Sequence, residues 1–185
     1  ASDACRAACL YSAGRGAFTS VQKARLRKTE SYFSDRDGFI ATIRENIESL
    51  VSSCRKTGTR PCVRLNGTSD IAWEKIRVGD YRNLFEMFPD VQFYDYTKIV
   101  GRTVPENYHL TFSKSESNDA DVSVAIRNGL NVAVVFDKLP ETYLGRPVVS
   151  GDDSDIRVND PRGVVVGLKA KGPARKDLSG FVVFA

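Results

Sequence analysis

Histidine, tryptophan and methionine each occur once in the 185 residues. No apolar run approaches the roughly 18 residues that span a bilayer, so a transmembrane helix is not expected. The start, ASDACRAACLYSAG, lacks the basic residues and apolar stretch of a signal peptide, which makes the cytoplasm the expected location. Beginning with Ala rather than Met, the chain reads as trimmed or as internal to a longer product. One imidazole cannot build a His-rich metal centre, and strand alternation puts His109 opposite Leu110, where a structural role is expected. A glycine-rich phosphate loop is missing too: SAGRGAF has two glycines before a helix, a spacing that fits neither the dinucleotide nor the P-loop fingerprint. There are no internal repeats and no low-complexity tracts.

What is present is globular material, 42% hydrophobic, 10% aromatic and 27% charged. A chain of this length is expected to form a single domain over 1–185 and to bury roughly 70% of the surface that its unfolded form exposes. The net charge of +4 is unevenly spread: residues 1–60 hold eleven Lys and Arg against six Asp and Glu, and the rest is close to neutral. The excess sits around GRGAFTSVQKARLRK, where Arg15, Lys23, Arg25, Arg27 and Lys28 could track nucleic-acid phosphates, with Tyr11 or Phe18 free to stack on bases. The same charges also suit a solvated helix face.

Two helices are expected early, SVQKARLRKTESYF and the clearer DRDGFIATIRENIESLVSSCRKTG. In the second, Phe39, Ile40, Ile43, Ile47, Leu50, Val51 and Cys54 share a face at three- and four-residue spacing, and Gly58 supplies the stop. Five apolar runs follow with strand character: CVRLN, VQFYDYT, YHLTFS, NVAVVF and GVVVGLKA. YRNLFEMF and NDADVSVAIRNG lie between them as helix candidates. Strands apolar on both faces, alternating with helices, predict an α/β fold with a mainly parallel sheet. The division expected is a cysteine loop and basic helix over 1–34, then an α/β unit over 35–185 interrupted by a long loop at 137–162. That Pro-, Gly- and Asp-rich stretch suits a hairpin or excursion, and its Asp152, Asp153 and Asp155 do not match the calcium-loop spacing.

Polar residues gather where strands end. Asn66, Gly67, Thr68, Ser69 and Asp70 follow the first strand, and Asp95 and Lys98 close the second. Ser113, Ser115 and Lys169 follow at later ones. Parallel sheets bind ligands at their carboxyl ends, so these residues suggest a small-molecule site. Within it Asp70 or Asp95 could act as a general base partnered by Lys98, or the two could share a divalent cation; singly, each could be a helix cap or surface ion pair. Cys54 and Cys62 are expected in the core. Cys5 and Cys9, three residues apart in an irregular segment, admit a metal or iron–sulfur cluster, a disulfide or no partner at all.

CRAACLYSAGRG, VRLNGTSDIAWE, FPDVQFYDYTK and NYHLTFSKSESN, in that order and spacing, resemble the phage and prophage gene product 88 family over about residues 5–136. Those proteins are similar in turn to the radical S-adenosylmethionine superfamily. The resemblance implies a sheet curled as a partial, incomplete α/β barrel with helices outside, in the host cytoplasm. It also implies a [4Fe-4S] cluster on Cys5 and Cys9, and S-adenosylmethionine as the cofactor. Asn66, Gly67, Thr68, Ser69 and Asp70 would hold the amino group of its methionine moiety, and Asp95, Thr97, Lys98, Ser113, Ser115 and Lys169 would line the same mouth. The superfamily signature has three cysteines, whereas Leu10, Tyr11 and Ser12 follow Cys9 here. An enzyme or its remnant is one expectation; a non-catalytic viral nucleic-acid-binding protein is the other.

Overall fold

A computed structural model describes residues 2–8 and 14–185. Cys9 and Tyr11 lie outside the described residues.

All five expected strands are present: β1 (Cys62–Val63), β2 (Gln92–Thr97), β3 (Tyr108–Ser113), β4 (Asn131–Phe136) and, after the hairpin β5 (Thr142–Tyr143) and β6 (Arg146–Ser150), β7 (Val165–Lys169). With β8 (Val182–Val183), which pairs with β4, they form an eight-stranded open sheet in the order β1-β2-β3-β4-β7-β6-β5. Every pairing within it is parallel except β5 with β6. The stretch read as a hairpin or excursion is thus a hairpin whose second strand extends the sheet beside β7. β3 pairs with β4 at Asn131 to Ala133, and β8 takes over the same strand at Val135 and Phe136.

The helices follow the apolar spacing. After α1 (Asp3–Ala7) come α2 (Thr19–Ser34) and α3 (Arg36–Thr57). Asp35 caps α3 by accepting from Gly38 N at 3.0 Å, and Gly58 ends it in the left-handed region at φ 67°. Ile40 and Ile47 of α3 are buried against Phe93, Tyr108 and Leu110 of the sheet, flanked by Phe39, Ile43 and Val51. YRNLFEMF yields only α4 (Leu84–Met87), because Asn83 caps it and the chain turns at Phe88 and Pro89 towards β2. α5 (Asp119–Arg127) packs Val122 and Ala125 on Phe112, Val132 and Val134. A left-handed Gly129 follows it.

Two expectations need correction. Cys5 sits on a short helix rather than in an irregular loop. Cys54 and Cys62 are half-buried, not core residues, and burial pushes the Cys62 thiol above its ordinary pKa.

Candidate functional site at the carboxyl ends of the first strands

The polar run after β1 folds around one side chain. Asn66 is 2% exposed, and its Oδ1 accepts from Ser69 Oγ at 2.8 Å, Ile71 N at 3.0 Å and Trp73 Nε1 at 3.2 Å. Its Nδ2 donates to Ile71 O and to Asp95 Oδ2. Every polar atom of the side chain is used, so Asn66 shapes the turn rather than offering itself to a ligand. Gly67 and Thr68 are exposed on the rim.

Asp95 lies fully buried in the middle of β2. It accepts from Asn66 N at 2.8 Å and from the Tyr108 hydroxyl at 2.9 Å, with Arg64 Nε 3.9 Å away. Burial outweighs these donors and pushes the carboxyl up to about 6. Burial pushes the Tyr108 hydroxyl well up too, so it stays protonated and donates.

Asp70 sits at the end of β2. Its carboxylate accepts from Thr97 Oγ1 at 2.8 Å and Lys98 N at 2.7 Å, and Arg102 Nη1 approaches to 3.2 Å. The two aspartates therefore lie on the same side of one network. The cation between them is Arg102, where the sequence suggested Lys98 or a metal: its Nη2 also donates to the Tyr108 hydroxyl at 3.3 Å. Lys98 meets Asp70 through its backbone N–H. Arg102 in turn is gripped by Glu74, and the two side chains are 3% and 7% exposed.

Two members of this network, Glu74 and Arg102, reach a cleft of about 700 Å³, and Asp70, Asp95 and Tyr108 lie behind them. Glu74 and Arg102 line it with Lys75, Arg82 and Glu86, and Phe85, Ile99, Val100, Val104 and Pro105 supply an apolar side. Arg102, Glu74 and Tyr108 are not among the residues to which the sequence pointed. The signal lay in KIVGRTVPEN, the connection between parallel strands β2 and β3, which carries no helix and folds back over the sheet end.

The remaining candidates lie apart from this cleft. Ser113 ends β3, where its carbonyl accepts from Asn118 Nδ2, and Ser115 is buried and donates its N–H to Asn118 Oδ1. Lys169 ends β7 with an exposed side chain, and its N–H meets Asp152. Cys5 is carried by α1, which docks next to the end of β3 through Ala4 N donating to Glu116 Oε1 at 3.0 Å. Among the described residues no three His, Cys, Asp or Glu side chains are grouped to hold a metal. Arg15, Lys23, Arg27 and Lys28 are exposed, while Arg25 is half-buried and engaged.

An open, mostly parallel sheet with helices packed against it defines a mixed α/β protein. The chain belongs to the gene product 88 family, a family of phage type, whose sequence model matches residues 1–185. No curated protein and no solved structure matches it. Among the described residues no helix is long and apolar enough to cross a membrane.

Proposed function

We propose that this phage-type protein binds a small molecule in the cleft at the carboxyl ends of β1 and β2 and can exchange a proton with it. The observation that carries this reading is Asp95, a buried carboxyl pushed up to about 6 and linked through Tyr108 to Arg102 on the cleft wall. A group that changes charge near neutral pH just behind a cleft is suited to acid–base work. Asp70, with 30% of its side chain exposed, suits a ligand amino group, and Lys75 on the cleft suits an anionic one; Arg102, whose N–H groups are all engaged within the protein, holds the carboxylates in place. The apolar side accepts a ring or chain. The volume falls in the range of small-molecule sites.

The consecutive order β1-β2-β3-β4 is what an incomplete barrel would have, and we read the sheet in that way. The iron–sulfur part of the resemblance fits poorly. Cys5 and Cys9 supply two thiolates where a [4Fe-4S] cluster takes three or four, and no third cysteine follows them closely. The proposed activity therefore uses no cluster.

S-adenosylmethionine, a sulfonium amino acid that bears an aromatic adenine, is the probe. Calorimetry on the full chain is expected to show saturable binding, weakened at least about tenfold by Asp70→Asn with the circular dichroism spectrum unchanged. Absence of binding, or binding indifferent to the substitution, overturns the reading.

A second reading, nucleic-acid binding, is favoured by one observation. α2 buries none of its residues fully and rests mainly on α3 and the 14–17 turn. It leaves Lys23, Arg27 and Lys28 on an exposed surface with Leu26 and Phe33, near Arg15 and Phe18.

A further inference from the structure

On β2 and β3 the face turned away from α3 is polar. Phe93, Tyr108 and Leu110 point to α3, whereas Tyr94, Tyr96, His109 and Thr111 alternate with them and point the other way. Register sets Tyr94 beside His109 and Tyr96 beside Thr111. The 157–159 turn, part of the Asp-rich segment 151–162, packs across β2 and β3 on this side. It brings Arg157, whose side chain is 1% exposed, against the strand residues.

Several polar groups enclosed there lack a hydrogen-bond partner: Arg157 Nε and Nη1, the Thr111 hydroxyl, His109 Nε2 and, as an acceptor, Asp160 Oδ2. Arg157 Nη2 donates to Ser154 O. Its Nε has no hydrogen-bond partner, and its Nη1 stands 3.1 Å from Asp160 Oδ2 in ionic contact without hydrogen-bond alignment. The Thr111 hydroxyl, fully buried, and His109 Nε2 are also without partners. Burial pushes the His109 imidazole below its ordinary pKa, so it is neutral and keeps one N–H to give. Arg64 lies over the Tyr96 ring at 4.9 Å on the same side, although it also stands 3.9 Å from Asp95. Enclosed donors left unmade are costly, and a buried guanidinium with free N–H groups matches an acceptor-only ligand.

We propose that this face holds a second site, for a compact oxyanion, carboxylate or phosphate, bound by Arg157 Nε, the Thr111 hydroxyl and the His109 ring beside the Arg157–Asp160 ion pair, between the β2–β3 surface and the 151–162 segment. The site does not depend on the cleft at β1 and β2. The segment is anchored at Asp152, which accepts from Lys169 N and Lys171 Nζ. Gly151 adds a tight approach: a Cβ there would stand 2.6 Å from Val166 Cγ1.

The single histidine makes the test direct, since His109 gives the one imidazole signal in the chain. The full chain is titrated with inorganic phosphate in one arm and acetate in the other, at fixed pH and ionic strength, while the imidazole resonances are followed by NMR. A saturable shift in either arm, abolished in Arg157→Gln, is the expected result, and the arm that saturates names the anion. Thr111→Val keeps shape and removes one donor, so it reports even where Arg157→Gln does not fold. It should raise the half-saturating concentration about tenfold or more. A shift that stays linear in both arms, or a saturable one that Thr111→Val leaves unchanged, overturns the proposal.

Discussion

Glu74 and Arg102 stand 28 residues apart in the chain and close a two-point ion pair, Nε to Oε1 at 3.0 Å and Nη2 to Oε2 at 2.6 Å. Neither is near a strand register that would force the contact. Glu74 comes from the turn at Trp73 to Lys75, and Arg102 from the connection between β2 and β3. The pair ties that connection to the segment after β1 and so fixes the shape of the cleft.

Breaking one side of this pair should be far worse than removing both. Arg102→Met leaves Glu74 buried without its cation and is expected to cost about 3 to 5 kcal/mol in denaturant unfolding. Adding Glu74→Gln to Arg102→Met should recover a large part of the loss. Equal damage from the single and double substitutions would show that the ion pair is not what holds the connection.

Asp95 gives a pH signature of defined sign. Its folded pKa, about 6, lies above its ordinary 3.8, so the folded state holds the proton more tightly than the unfolded one. The stability tied to this group is fully present below about pH 4 and is lost as pH rises through about 6, roughly 3 kcal/mol in all. Unfolding free energies of the parent and Asp95→Asn, measured at intervals from pH 4 to 7, should diverge by about 2 kcal/mol in favour of the variant. A constant difference across the range would mean that Asp95 ionises as an ordinary carboxyl.

Ile47 is 3% exposed on the sheet-facing side of α3. Ile47→Ala is expected to destabilise by about 2 to 5 kcal/mol, since a cavity opens among close-packed neighbours. Thermal and denaturant unfolding measure it. A loss under about 1 kcal/mol would place α3 loosely on the sheet.

The nucleic-acid reading predicts a salt dependence. Binding of single-stranded DNA should weaken steeply with salt, and replacing Lys23, Arg27 and Lys28 together by Gln should flatten the log–log slope by roughly 0.7 for each phosphate that is no longer neutralised. Fluorescence anisotropy across a salt series reads this. Binding insensitive to salt and to the triple change would remove α2 from consideration.

The strands were legible because β4 and β7 are apolar on both faces, a pattern that a parallel sheet covered on both sides requires. α3 was legible from its spacing, and Gly58 and Gly129 marked helix ends because only a left-handed residue closes them there. Neither Arg102 nor Arg157 could be seen in this way. Each is an arginine in a loop, and its burial depends on how a connection folds back over a sheet already built. Asp152, Asp153 and Asp155 stand out in the segment that carries Arg157, yet Asp153 and Asp155 are exposed and the buried cation is the side chain that enters the fold. Asn66 was visible as a polar residue at a strand end, but its role as the hub of the turn rests on Trp73 and Asp95 arriving from two other segments.

The partnership of β4 with β8 also orders events during synthesis. The outer half of β4 finds its neighbour in Val182 and Val183, and Ala185 N–H closes on Asp137 Oδ1 from 48 residues further along. While the chain emerges from the ribosome, β3 can dock on the first half of β4, but Val135 and Phe136 keep a bare edge until the last of that stretch has cleared the exit tunnel. Such an edge is a template for pairing with another chain. Nascent molecules crowded on one message would be open to mispairing at that edge, and a pause in translation before Val182 would lengthen the exposure.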